Sequence, residues 1–217
     1  MPKIFPSKPF LLMLYGYPGA GKTYFSRQFT ETVQAAHMQS DRIRGELFET
    51  PQYDKQENDV VAQIMDYMTE EFLSAGLSVV YDTNAARVPQ RHVLRNLAYK
   101  YHAQPVLVWF QMDPETAFIR NSKRDRRKSD DKYAAQWDRP TYEGMVKRMQ
   151  NPTLAENYVV ISGKHVFNMQ QSAMISNLRS SGILASDANS RVIKPELVNL
   201  VPHPGRVDLT RRNISIR

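Results

Sequence analysis

Gly16-Tyr17-Pro18-Gly19-Ala20-Gly21-Lys22-Thr23 reads G-x-x-x-x-G-K-T, and its flanks set how the rest of the chain is built around it. The run Phe10-Leu11-Leu12-Met13-Leu14-Tyr15 immediately before it is continuously apolar, as expected of a strand buried on both faces of a parallel sheet. Thr23 to Ala36 reads as a helix. A strand, a glycine-rich turn and a helix in this order form a P-loop. The turn aims successive backbone N–H groups at one point, where the helix N-terminus adds about half a positive charge. Gly16, Gly19 and Gly21 permit the tight turn, with Tyr17, Pro18 and Ala20 completing the cradle. Lys22 is placed to reach the β- and γ-phosphates of a nucleoside triphosphate, and the Thr23 hydroxyl to ligate Mg²⁺.

Outward from this loop, strands and helices alternate, which predicts an α/β, doubly wound parallel sheet of the P-loop NTPase, kinase type. His37 to Ser40 is a short strand, and Asp41 is expected to open the next helix as its N-cap. Asp54 to Ala75 carries Val61, Ile64, Met65, Met68 and Phe72 at helical spacing, with Gly76 as the stop. Leu77 to Tyr81 is a strand ending at Asp82, Pro89 to Tyr101 a helix, and Pro105 to Gln111 a strand. Pro114 opens a helix expected to run into the basic segment 120–132; Thr141–Met149 is a helix, Tyr158–Ile161 a strand and Met169–Leu178 a helix. The expected division is a kinase-type domain over 1–184, with a basic lid at about 120–140, and a C-terminal extension over 185–217. That extension, broken by Pro195, Pro202, Pro204 and Gly205, reads as a docked hairpin or a basic arm.

With 217 residues, 41% hydrophobic, the chain can bury one good core. No apolar stretch approaches the roughly 20 residues of a membrane span, and the N-terminus lacks a signal-peptide core. The absence of cysteine excludes disulfides and cysteine zinc sites and fits a cytoplasmic protein. The net charge of +7 resides in two segments: 120–132 contributes +4 and 187–217 contributes +3. Such clustering favours a polyanion or several phosphates at one site, against the alternative of a solvated basic face.

A P-loop alone does not separate kinases from GTPases or motor ATPases, so the second motifs decide. Asp82, at the end of the third strand, occupies the position of a carboxylate that holds Mg²⁺ with Thr23. No Glu follows it to polarise water, which weighs against a mechanical ATPase. Asn121-Ser122-Lys123-Arg124-Asp125 misses the guanine-reading N-K-x-D spacing by one residue. Asp41 and Arg44 are three apart at a helix start, so both can face the phosphates: a carboxylate to deprotonate a hydroxyl and a guanidinium to neutralise phosphate charge. The cations from Arg120 to Lys128 fall where small P-loop kinases carry a mobile lid. One or two of them, Arg120 included, are expected on ATP, and the others, Arg126 and Arg127 included, along an acceptor backbone. The methionines and most aromatics read as core, the histidines carry no metal-ligand spacing, and His92 reads as surface.

From Phe10 to Leu178 the chain resembles the polynucleotide 5′-hydroxyl kinase family. The likeness rests on Gly16–Thr23, on Ser40-Asp41-Arg42-Ile43-Arg44, on Asp82-Thr83-Asn84 with Pro89 and Arg91 beyond, and on Arg120-Asn121-Ser122-Lys123-Arg124. The resemblance implies Asp41 as general base, Arg44 on the acceptor phosphate, Asp82 and Asn84 at the acceptor site, and Arg124 on the transferring phosphate. It implies ATP and Mg²⁺ as cofactors and a DNA or RNA 5′-hydroxyl end as acceptor. The phosphatase signature D-x-D that many such kinases carry is missing. A small-molecule kinase acting on a nucleoside, sugar or antibiotic is the rival reading, and an ATP-regulated nucleic-acid-binding module the third.

Overall fold

A computed structural model describes residues 3–127 and 131–185. The expected extension therefore lies outside the described residues apart from Ala185, as does Lys128 of the lid. Five strands, β1 (Phe10–Tyr15), β2 (Ala36–Gln39), β3 (Val79–Asn84), β4 (Gln104–Gln111) and β5 (Tyr158–Ser162), form one sheet in the order β2-β3-β1-β4-β5. Every neighbouring pair is parallel. The chain runs from β1 to the edge strand β2, returns to β3 beside β1, and then crosses to β4 and β5 on the other side, so the crevice at the carboxyl ends of the strands opens beside β1, where the P-loop begins.

Among the described residues there are seven α-helices: α1 (Lys22–Thr32), α2 (Ser40–Leu47), α3 (Lys55–Ser74), α4 (Val88–Lys100), α5 (Pro114–Ser122), α6 (Arg139–Lys147) and α7 (Phe167–Ser180). The alternation along β1 divides the core. Phe10, Leu12 and Leu14 pack with Phe25, Phe29, Met174 and Leu178 of α1 and α7. Leu11, Met13 and Tyr15 pack with Val61, Met65, Leu73, Leu94 and Ala98 of α3 and α4. Complete burial of all six β1 residues explains the unbroken apolar run. Several helix starts are written locally. The Asp54 side chain accepts from the Glu57 N–H at 2.8 Å, and Asp113 accepts from the Thr116 N–H at 2.8 Å with Pro114 beside it.

Four expectations change. Helix α1 stops at Thr32, four residues early, because the Gln34 N–H turns to the Ile4 carbonyl at 2.8 Å. Helix α2 starts at Ser40 with Gln39 in the capping position, so Asp41 sits in the first turn rather than at the N-cap and its carboxylate is left for the crevice. Strand β3 runs from Val79 through Asp82 to Asn84, and a register shift between Met13 and Leu14 places Asn84 opposite Leu14. Helix α5 ends at Ser122 instead of continuing through the basic segment.

Candidate active site

The P-loop turns on two glycines for different reasons. At Gly21 φ is 94° with open space around it, so the left-handed backbone alone selects glycine. At Gly19 φ is 91°, and a Cβ would come within 2.1 Å of the Ala117 carbonyl oxygen of α5. The loop is thus pressed against α5, and the Lys22 ammonium folds back to donate to the carbonyls of Gly16 at 2.7 Å and Tyr17 at 3.0 Å. Burial pulls Lys22 down to about 8; Asp82 and Asp41 oppose this and Arg124 adds to it. A desolvated cation held by carbonyls at the centre of a cradle of N–H groups suits a polyphosphate.

Asp82 lies across from the loop and is 4% exposed. One carboxylate oxygen accepts from the Thr23 hydroxyl at 3.2 Å, and the other meets His37 Nε2 at 2.9 Å. His37 reaches it because β2 and β3 are neighbours, with Gln39 opposite Asp82 in the register. The Thr23 and Asp82 oxygens are hard donors set at the lip of the cradle. They fit Mg²⁺, which takes one or two protein ligands and completes its shell with phosphate oxygens and water. Asp41 faces the same space from α2. Burial raises its carboxyl above the ordinary range, as does the Asp82 charge, against the pull of Arg124, Arg44 and Lys22.

These groups line a cleft of about 1000 Å³. Of the residues expected in the site, Pro18, Gly19, Gly21, Lys22, Thr23, Asp41, Asp82, Asn84, Arg120 and Arg124 line it together. Arg120 donates to the Gly163 carbonyl at 2.8 Å and Arg124 to the Ala135 carbonyl at 2.9 Å. Asn84 Oδ1 accepts from the Gly16 N–H at 3.3 Å, tying β3 to the loop. Gly16, Tyr17 and Ala20 shape the loop from behind. Three arginines are not brought in. Arg44 is buried, its fork on Glu57 Oε2 at 2.9 Å and Asn58 Oδ1 at 2.6 Å, its plane 4.6 Å from the centre of the Tyr53 ring. Arg126 donates to the Ala134 carbonyl at 3.3 Å, and Arg127, with its side chain 91% exposed, pairs with Asp125 at 2.9 Å.

Sequence reasoning missed several lining residues. Arg87, Arg148, Met145 and Met149 enter from the β3–α4 loop and the end of α6. Tyr24 of α1 and His165, Val166 and Phe167 at the start of α7 form a further rim, with the Tyr24 and Phe167 rings edge-on at 6.3 Å. The readable signal for that rim was Gly163 directly after β5, where a Cβ would come within 2.7 Å of the Ala20 carbonyl oxygen. Trp137 also lines the cleft and meets Tyr53 edge-on at 4.9 Å.

The parallel sheet with its flanking helices and the P-loop define a P-loop NTPase domain of the kinase type. The chain belongs to the AAA domain family, whose model matches residues 11–152. No curated protein matches the chain by sequence. Among solved structures it is similar to Kti12 of Chaetomium thermophilum in complex with ADP-AlF3, at 15% identity and a TM-score of 0.63, covering 81% of this chain and 100% of that one. It is similar to the APS kinase CysC of Mycobacterium tuberculosis in complex with AMPPNP and APS, at 14% identity and a TM-score of 0.58, covering 80% and 99%. It is also similar to a gluconokinase of Sinorhizobium meliloti 1021, at 13% identity and a TM-score of 0.55, covering 81% and 93%. Among the described residues, no helix is long and apolar enough to cross a membrane.

Proposed function

We propose that residues 1–184 form an ATP- and Mg²⁺-dependent phosphotransferase that moves the γ-phosphate to the 5′-hydroxyl of DNA or RNA. The observation that carries the phosphotransferase reading is the convergence of Lys22, Asp41, Asp82 and Arg124 on one cleft. The P-loop N–H groups and Lys22 hold the phosphates. Thr23 and Asp82 would hold Mg²⁺, which would supply neutralisation of phosphate charge. Asp41 accepts the proton of the acceptor hydroxyl as that oxygen bonds to the γ-phosphorus and the bond to the β-phosphate oxygen breaks. Its raised carboxyl brings the base closer to neutral pH, so the rate rises with pH until Asp41 is fully ionised. Arg124 pairs with the transferring phosphate, and Arg44, anchored on Glu57, supports α2 behind Asp41. The order of motifs shared with polynucleotide 5′-hydroxyl kinases supports the nucleic-acid acceptor.

The cleft is also roomy enough for ATP beside a compact acceptor, which favours a small-molecule kinase as the second reading. A γ-phosphate transfer screen over 5′-hydroxyl DNA, 5′-hydroxyl RNA, nucleosides and sugars separates the two. Asp41→Asn should keep ATP binding and lose transfer by about 10²–10⁴-fold. Equal losses of ATP affinity and rate would remove Asp41 from the role of base.

A further inference from the structure

Gly45 lies inside α2 with ordinary right-handed backbone, where alanine is the better helix former. What asks for glycine there is space. A Cβ at Gly45 would come within 2.6 Å of Cδ1 and 3.2 Å of Cε1 of the Tyr133 ring, which belongs to the lid. The Tyr133 hydroxyl donates to Oε1 of Glu46, the next residue of α2, and the Lys132 ammonium sits 4.7 Å from the centre of the ring. The lid therefore lies directly on α2, and the bare backbone at Gly45 is what lets it come so close.

A second contact runs beside the first. Trp137, where the lid returns to the domain, meets Tyr53 edge-on with ring centres 4.9 Å apart. Tyr53 is itself held in the left-handed region, at a φ of 57°. Its N–H donates to Glu57 Oε2 at 2.8 Å, and Asn58 Nδ2 donates to its carbonyl at 3.1 Å, so the neighbours fix a conformation a tyrosine rarely adopts. The same Glu57 and Asn58 receive the Arg44 fork, and the guanidinium lies over the Tyr53 ring. This route too ends on α2.

Both contacts bear on the chemistry through what they flank. Asp41 and Gly45 are four apart, so Tyr133 rests one turn along the same face of α2 as Asp41. Arg124 belongs to the same stretch of lid: its guanidinium donates to the Ala135 carbonyl at 2.9 Å, and Gln136 Nε2 donates to its carbonyl. A helix of eight residues does not hold itself in place, and its setting depends on what packs against it. We infer that Tyr133 and Trp137 form a latch between the lid and α2, which sets Arg124 and Asp41 in position together. The latch rests on the phosphotransferase reading of the cleft, and adds to it two positioning residues that need touch neither nucleotide nor acceptor.

The sign of one substitution tests the contact. In wild type Gly45→Ala drives a methyl group into the Tyr133 ring, so the thermal midpoint should stay level or fall. In a Tyr133→Ala background the space is open, and the same substitution should raise the midpoint by about 2–4 °C, as glycine to alanine inside a helix does. Equal shifts in the two backgrounds overturn the latch. Transfer to a 5′-hydroxyl oligonucleotide reads the positioning role. Gly45→Ala and Tyr133→Ala should each lower kcat about tenfold, with the Kd of an unreactive ATP analogue nearly unchanged. Tyr133→Phe, which keeps the ring on Gly45, should restore most of that loss. An unchanged kcat, or equal losses of kcat and analogue affinity, overturns the role. Trp109→Phe leaves Trp137 as the sole tryptophan and gives a readout without turnover: iodide quenching should rise when Tyr133→Ala is added. Unchanged quenching separates Trp137 from Tyr133 and overturns the shared latch. If wild type transfers phosphate to no acceptor yet the sign reversal and the quenching appear, the phosphotransferase reading fails and the latch stands.

Discussion

Nucleotide binding should draw a proton onto Lys22, and the amount can be worked out. Burial lowers Lys22 from 10.5 to about 8 in the free protein. The unfolded chain therefore binds more protons between about pH 8 and 10.5, and the stability of the free protein rises with pH across that window. Phosphates in the P-loop return a counter-charge and restore the ordinary value. From a value near 8, about a tenth of Lys22 is uncharged at pH 7, about half at pH 8 and about nine tenths at pH 9. Binding should take up those fractions of a proton, and affinity should fall about tenfold per pH unit above 8, or roughly 1.4 kcal/mol. The nucleotide's own terminal phosphate is fully ionised there and contributes nothing. Isothermal titration of an unreactive ATP analogue at pH 9, in two buffers of different ionisation enthalpy, reads the uptake directly. Lys22→Arg, charged throughout, should bind with no uptake, and Asp41→Asn should leave the uptake intact. A buffer-independent enthalpy at pH 9 in wild type would refute the desolvated-cation account of the loop.

Three further outcomes follow from the contacts. His37→Leu removes the group that holds the second oxygen of Asp82, so Mn²⁺ affinity of the ADP complex, measured by electron paramagnetic resonance, should fall several-fold. His37→Gln, with an N–H near the place of Nε2, should restore it, and failure of that rescue would remove His37 from the role. Arg91 is 0% exposed and grips Glu156 at 2.6 and 3.0 Å while donating to two carbonyls, so Arg91→Ala should cost about 3–5 kcal/mol in denaturant unfolding. Gly19→Ala drives a Cβ into the Ala117 carbonyl oxygen, so nucleotide affinity should fall at least tenfold even where thermal melting shows the fold intact.

What the sequence made legible is what depends on near neighbours. The six-residue run and the P-loop carry their meaning within a dozen positions, and Asp82 was found by its place at a strand end. Asp41 was found as the carboxylate facing the phosphates, but was placed at the helix cap, because the spacing does not tell a capping residue from a first-turn residue when a strand leads straight into the helix. Contacts set by the fold were not legible. His37 and Asp82 are 45 residues apart and meet only because β2 pairs with β3. Arg44, Arg91 and Arg87 look alike as letters. Two are committed to Glu57 and Glu156, which lie 13 and 65 residues further on, and the third lines the cleft. The end of α1 depended on Ile4, whose pairing with Val33 no local pattern announces.

Asn121 gives the lid a property of its own. Fully buried at the end of α5, it donates to the Ala135 carbonyl at 3.1 Å and accepts from the Trp137 N–H at 3.0 Å. One amide thus clasps the segment where it leaves the domain and where it returns, so the ends of the lid meet whatever lies between them. Chain inserted into such a clasped loop costs only about 0.6 kcal/mol for each doubling of its length. The segment between Asn121 and Ala135 can therefore be lengthened, shortened or recharged with the sheet and P-loop undisturbed.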